Sequence, residues 1–316
     1  MSFLTGPFDL DEINRMAGTD PRGFMAECDH NYIGKLMRAA AAIATSAREK
    51  PVVLLSGPSG SGKTTTAGKL VRELAHIGIR AHVVSMDDYF ITLTDTSHPR
   101  DRAGNIDFES PECMDIPLLC SHFAELVRGG EVTLPRFDFV NQQSVPGGGG
   151  TLRLANDEVA IFEGIHALNP LLLGQTASNE LRIYASARAN VFEGGKSFFK
   201  GTWIRLVRRL IRDRNFRGWA PEKTMRLWAG VRRGEKKYIS PYNSRADIVI
   251  DTALAYDLPV LSAFALPLME AVPADAERAE EIAQIHPCLL RVAGIDESLV
   301  SSKSLTREFI GGLEED

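Results

Sequence analysis

Residues Gly57-Pro58-Ser59-Gly60-Ser61-Gly62-Lys63-Thr64, continued by Thr65, fit the spacing G-x-x-x-x-G-K-[ST]. A glycine-rich turn between a strand and a helix leaves several backbone N–H groups aimed at one point, a socket for phosphate. Lys63 would reach the β and γ oxygens of a bound triphosphate, and the Thr64 hydroxyl can ligate Mg²⁺. No asparagine opens an N-K-x-D guanine signature, so a GTP switch is excluded. The run "VAIFEG" ends in the single Glu163 rather than the Asp-Glu usual in hydrolysing ATPases. Beside such a socket Glu163 could hold the metal through water; elsewhere it would be a surface acid.

A transferred phosphoryl group needs an acceptor. The stretch "SMDDYF" puts Asp87 and Asp88 at the carboxyl end of the second strand pattern, on the same sheet edge as the socket. Asp87 is expected to take the proton of an attacking hydroxyl or to ligate metal-bound water, and Asp88 to cap a turn. In "GNIDFESPECMD" Asp107 could accept two hydrogen bonds from a vicinal diol such as a ribose, or cap a turn. Phe137 and Phe139 of "RFDF" share a strand face; the residues alone favour core packing over stacking on a base. From Thr202, "TWIRLVRRLIRDRNFRG" holds six arginines and one acid on a helical pattern. Like charges four apart repel, so an anion should compensate them, and a lid clamping phosphate would provide it.

The elements that must position these groups follow from hydrophobic period. Short β-branched runs at 52–56, 81–85, 159–163, 181–185 and 246–250 suit parallel strands buried on both faces. Ala67, Leu70, Val71, Leu74 and Ala75 make the stripe of a helix between the first two. "EVTLPRFDF" and "TLRLA" read as hairpin arms separated by Gly147 to Gly150, which should be irregular. Residues 31–50 read as one alanine-rich helix outside the core, and "ANVFEGGKSFFKG" as a mobile loop. From Ala253 the pattern is helical to about Gln284, followed by an irregular tail containing "LTREFIGG".

At 316 residues with 44% hydrophobic content the chain can build a full core. Its net charge of −5 argues against nucleic-acid and membrane partners. Four cysteines without a C-x-x-C pair indicate reduced core residues, neither zinc site nor disulfide framework. The acidic start lacks a secretory pattern, and no apolar run approaches the ~20 residues of a membrane span, so a cytoplasmic location is expected. A homo-oligomer is left open.

These blocks in this order resemble the uridine kinase branch of the P-loop kinases, related to phosphoribulokinase. The socket, "SMDDYF", "IDFESPECMD", "LPRFDF", "IFEGIHALNP" and "RRLIRDRNFRG" carry the resemblance, with "VRRGEKKYI" and "LTREFIGG" closest to bacterial uridine kinase-like nucleoside kinases. It implies a kinase domain over 51–316 after an N-terminal helical extension over 1–50, with a hairpin insertion at about 131–155 and a lid region at about 188–218. The fold expected is α/β, with a mostly parallel five-stranded sheet flanked by helices. The resemblance makes Asp87, Lys63 and Arg212 the catalytic set. ATP falls to Gly57 through Thr65 with Arg212 and Arg217, and Mg²⁺ to Thr64 and Glu163. Acceptor binding falls to Asp87, Tyr89, Asp107, Phe137, Phe139, Gln142 and Arg209.

The implied reaction is transfer from ATP to the 5′-hydroxyl of a uridine- or cytidine-like nucleoside. Three positions depart from typical uridine kinases: Phe137 stands for tyrosine, Gln142 for histidine and Ile106 for phenylalanine. Ribose recognition is thus better supported than recognition of uracil. The rivals are a kinase of another sugar or polyol and a non-catalytic ATP-sensing module. A phosphorylated acceptor would want cations near Asp107 beyond Arg100 and Arg102.

Overall fold

The five apolar runs pair into one all-parallel sheet in the order Ile248–Asp251, Glu180–Ser186, Val52–Ser56, Glu158–Glu163, Arg80–Ser85. This computed structural model describes residues 6–94, 98–100, 104–173 and 179–314. The central strand Val52–Ser56 is buried at every position, which is why it reads as a continuous apolar run. Side chains alternate between two cores: Val53, Leu55, Ile161 and Ile183 face one, and Val52, Leu54, Phe162 and Tyr184 the other.

Register sets the working edge. Glu163 lies opposite both Leu55 and Ser85, and Ser56 lies opposite Tyr184, so these strands end level with one another. The phosphate-loop motif leaves after Ser56, the Asp87 turn after Ser85, and Glu163 closes its own strand. All three emerge at the carboxyl ends, where parallel sheets place their sites.

The N-terminal region is more structured and more buried than its sequence suggests. Phe8–Asp9 forms a short strand, Leu10–Thr19 a helix, and Pro21–Ser46 a second helix that starts ten residues before the expected one. Asp20 caps that helix by accepting from Gly23 N, with Pro21 at its first position. Phe24, Tyr32, Leu36 and Ile43 all enter the larger core beside Leu70 and Leu74 of the Lys63–His76 helix. The extension therefore packs into the core rather than outside it. Its alanine-rich face allows this close approach to the neighbouring helix.

Two irregular segments of the sequence are regular in the structure. "ANVFEGGKSFFKG" is a hairpin, Val191–Glu193 against Lys196–Phe199, which also pairs with Phe8–Asp9. Gly194 and Gly195 both have positive φ (53° and 81°), as the tight turn of a hairpin demands. In the other hairpin Glu131–Asp138 pairs with Gln143–Arg153, so Gly147 to Gly150 lie within the second arm and the turn falls at residues 139–142. The register shifts at Pro135, which has no N–H to give the ladder, and the glycines bulge opposite it.

The expected C-terminal helix is two helices, Asp257–Glu270 and Ala279–Leu289, and the tail returns to the sheet edge as a short turn of helix, Arg307–Ile310. Cys28, Cys113 and Cys120 are buried and Cys288 is half-buried; all are free thiols. No helix among the described residues is long and apolar enough to cross a membrane.

The Gly201–Arg217 helix is buried on both sides. Ile204, Val207, Leu210 and Ile211 meet the large core, and two of its arginines, Arg205 and Arg208, are 2% and 0% exposed rather than solvated. Arg208 pairs with Asp257 at 2.7 Å, both wholly buried. Replacing Asp257 by alanine is expected to leave an uncompensated buried guanidinium and to cost roughly 3–5 kcal/mol. A thermal melt should show a large fall, whereas Arg182→Ala, which breaks a partly exposed pair with Asp247, should cost less than about 1 kcal/mol.

Candidate active site

The phosphate loop turns tightly because Gly60 and Gly62 adopt positive φ, 74° and 79°. A Cβ on Gly60 would lie 2.6 Å from the Arg205 carbonyl, and one on Gly62 would lie 2.7 Å from Leu305 Cδ1. Protein packed behind the loop, as much as any phosphate in front, thus requires glycine there. Ser59 through Thr64 line a cavity of about 310 Å³. Gly57 sits against the Ala185 carbonyl with no room for a side chain.

Asp87 and Glu163 stand on the same cavity wall as Lys63. Asp87 owes its direction to the 3₁₀ turn Met86–Tyr89, opened by Ser85 Oγ accepting from Asp87 N (3.3 Å). With three residues per turn, Met86 and Tyr89 share the core face and Asp87 is turned outward. Its carboxyl is open to the cavity but hemmed in by protein. Burial pushes its pKa up, Asp88 adds to the rise, and Lys63, Arg217 and Arg212 oppose it. Burial likewise raises Glu163, against Lys63; Glu163 Oε1 accepts from Thr64 Oγ1 at 3.3 Å.

Arg209, Arg212 and Arg217 complete the wall. Arg209 Nη1 donates to Ser59 Oγ (2.8 Å), and its Nε lies 3.3 Å from Asp213, which also holds Arg217 at 3.0 Å. Asp213 is fully buried, so one carboxylate aims two arginines. Lys63, Thr64, Asp87, Glu163 and these three arginines are therefore brought together from four distant stretches of sequence.

The residues expected to bind the acceptor are more dispersed. Asp107 is half-buried off the cavity wall, where its Oδ2 accepts from Tyr238 Oη at 2.9 Å. In the same loop Glu109 is near enough to Arg209 to feel its charge, and burial raises its pKa against that pull. Glu109 packs on Gly234, where an added Cβ would fall 2.2 Å from its own Cβ. Phe137 and Phe139 lie 5.0 Å apart between ring centroids and meet Phe90. Phe139 is 61% exposed, so it is not core. Gln142 is exposed at the hairpin turn with φ 54°.

Tyr89 does not reach the acceptor side. It is 1% exposed on the core face of its turn, with its hydroxyl 2.8 Å from His122 Nδ1. Asp88 accepts from Phe137 N at 3.1 Å and so ties the hairpin to the Asp87 turn. Arg100 donates to the Gly104 carbonyl, and Arg102 lies outside the described residues.

Several site residues escaped the sequence. Asp213 was visible only as the lone acid among arginines. Tyr238 is turned toward Asp107 by a π-helical turn, Glu235–Ile239, that no local pattern announces. Glu308, in the irregular tail, lines the cavity and accepts from Thr65 Oγ1 at 2.6 Å. His166 is buried beside the Tyr238 ring, and burial lowers its pKa to about 3, so it is neutral.

Residues 52–194 match the model of the Phosphoribulokinase / Uridine kinase family. A uridine kinase of Deinococcus deserti is 28% identical over 200 residues, 63% of this chain and 86% of the relative. A uridine kinase of Lactobacillus helveticus is 26% identical over 206 residues, 64% and 87% of the two chains. A solved structure described as a possible uridine kinase from Bacillus stearothermophilus is 20% identical, covers 70% of this chain and 98% of its own, and has a TM-score of 0.46. Over residues 52–194, which hold the phosphate loop and most of the parallel sheet, the chain is similar to the Phosphoribulokinase / Uridine kinase family and to bacterial uridine kinases.

Proposed function

We propose that the protein transfers the γ-phosphoryl group of ATP to the 5′-hydroxyl of a nucleoside, uridine- or cytidine-like, in the cytoplasm. The observation that carries this reading is the shared wall of Asp87 and Lys63 in one cavity, faced by three arginines. A triphosphate in the loop meets backbone N–H groups and the Lys63 ammonium, and Arg212 and Arg217 spread over its terminal oxygens. The acceptor hydroxyl approaches from the Asp87 side. As its oxygen bonds to the γ-phosphorus, its proton passes to the Asp87 carboxylate, the bond to the β–γ bridging oxygen breaks, and ADP leaves.

Thr64 and Glu163 suit Mg²⁺. A hydroxyl and a buried carboxylate 3.3 Å apart, with the carboxyl pKa already raised by burial, present the oxygen donors a hard cation takes. Bound there, the ion would neutralise charge on the β and γ oxygens. The chain's own groups do the rest by placement and electrostatics.

On the acceptor side Asp107, held by Tyr238, is offered to the ribose diol, and the exposed Phe139 to the base. The missing hydroxyl at Phe137 removes one reader of the base, so the pocket should discriminate sugar more strongly than base. ADP release measured across a panel of nucleosides, with ribulose 5-phosphate and simple polyols as comparison acceptors, tests this. Activity confined to a sugar or polyol would overturn the nucleoside reading, and ATP binding without any transfer would point to a sensor.

Asp87→Asn and Lys63→Ala should each lower kcat by at least about 10²-fold, within the range for losing a proton acceptor or a phosphate clamp. Because burial raises the Asp87 pKa, the protonated, inactive carboxyl persists to higher pH than an ordinary aspartate's. The acid limb of the kcat profile should accordingly lie above the usual aspartate range, with activity lost as pH falls through it, and Asp87→Asn should lack that limb. Asp107→Ala should raise the acceptor KM about tenfold and leave the ATP KM within about twofold; an unchanged acceptor KM would remove Asp107 from the acceptor site.

A further inference from the structure

The cavity holds a carboxylate from a part of the chain far beyond the matched family core. After the Ala279–Leu289 helix the chain returns across the molecule, and residues 301–311 hook onto the phosphate loop. The hook is fastened at several points. Ser304 Oγ lies 2.5 Å from Tyr256 Oη, Thr306 Oγ1 donates to Asp257 Oδ1 (3.1 Å), and Lys69 Nζ donates to the Lys303 carbonyl. Leu305 fills the space that a Cβ on Gly62 would need, Phe309 lies under the buried Arg208 guanidinium (4.9 Å), and Asn215 Nδ2 donates to the Phe309 carbonyl (3.1 Å). Ser304, Leu305, Thr306 and Phe309 are all buried, so the hook is part of the folded core.

What it delivers is Glu308. One carboxylate oxygen, Oε2, is fixed by the Thr65 hydroxyl at 2.6 Å, and the other, Oε1, lies 3.6 Å from Arg212 Nη1. Glu308 is the only carboxylate paired with Arg212 among the described residues, whereas Arg209 and Arg217 both lean on Asp213. At 3.6 Å the contact is too long for a hydrogen bond, and Arg212 Nε is buried with no partner. Arg212 is thus held in direction by charge while its donors stay free for an anion. An arginine carries several rotatable bonds, and aiming it in advance spares that ordering at the moment of reaction.

We propose that Glu308 is a positioning residue for Arg212, so that the C-terminal hook completes the phosphoryl-transfer site. The inference rests on the reading of Arg212 as a clamp on the transferring phosphate. It separates Glu308 from an ordinary binding residue, because a carboxylate near phosphate oxygens repels them and cannot itself strengthen ATP binding. Its contribution has to appear in the rate, through where it holds Arg212.

The experiment compares Glu308→Gln, Arg212→Ala and the double variant. ATP affinity is read by calorimetry, and turnover is read as ADP release with the nucleoside panel and also without any acceptor. Glutamine keeps an oxygen for the Thr65 hydroxyl and removes the charge. Glu308→Gln should lower kcat about tenfold or more while ATP binds no more weakly than to the wild type, and that loss should vanish in the Arg212→Ala background. The inference is overturned by an unchanged kcat, by ATP binding weakened more than threefold, or by the same loss with Arg212 absent. Glu308→Asp, which retains the charge on a shorter arm, should recover part of the rate; a purely structural role would show instead as a lowered melting temperature in all Glu308 variants. If the wild type hydrolyses ATP but transfers to no nucleoside, the nucleoside reading fails, and the acceptor-free rates and affinities still decide the role of Glu308.

Discussion

A loop that turns its N–H groups toward an anion must turn its carbonyls the other way, and buried carbonyls need donors. In this protein the back of the phosphate loop is met by Arg205 on the Ser59 carbonyl (3.2 Å), Arg208 on that of Gly60 (3.4 Å) and Thr252 on that of Ser61 (2.6 Å). Both arginines are buried and therefore need carboxylates: Glu235 takes Arg205 and Asp257 takes Arg208. From this one requirement follow the placement of the arginine helix against the loop, the docking of the helix that begins at Asp257, and the π-helical turn that brings Glu235 inward.

The same helix divides its charge by depth. Arg205 and Arg208 grip the loop from behind, and Arg209, Arg212 and Arg217 face the cavity in front. Each forward arginine is aimed by a carboxylate already in place, Asp213 for two of them and Glu308 for the third. Opposite stand Asp87 and Glu163, whose carboxyl pKa values are both raised by burial. The cavity is an array of charges held close to balance, tolerable empty and shifted by an incoming polyanion. That is the kind of preorganised electrostatics a transfer with little covalent chemistry requires.

Much of this was legible because it depends on local period and spacing. The five strand runs, the phosphate loop and the Asp87 turn each announce themselves within about ten residues. Segments whose regularity comes from a distant partner were not legible. "ANVFEGGKSFFKG" looks mobile until Phe8–Asp9 supplies the third strand, and the Gly147–Gly150 run looks irregular until Pro135 opposite makes it a bulge. Tyr89 was misread for a related reason: membership in a functional block says nothing about which side of a 3₁₀ turn faces the core.

The amino-acid sequence by itself determined that a phosphate-loop motif sits at the edge of a parallel sheet with an acid beside it, because backbone geometry and side-chain alternation are local. Only the tertiary structure decided which arginines grip the loop and which face the cavity, that Asp107 is held by Tyr238, and that the tail puts Glu308 into the cavity. Those assignments depend on depth and on contacts between residues more than a hundred positions apart, and burial, which sets the cost of every unpaired charge, exists only once the chain has folded.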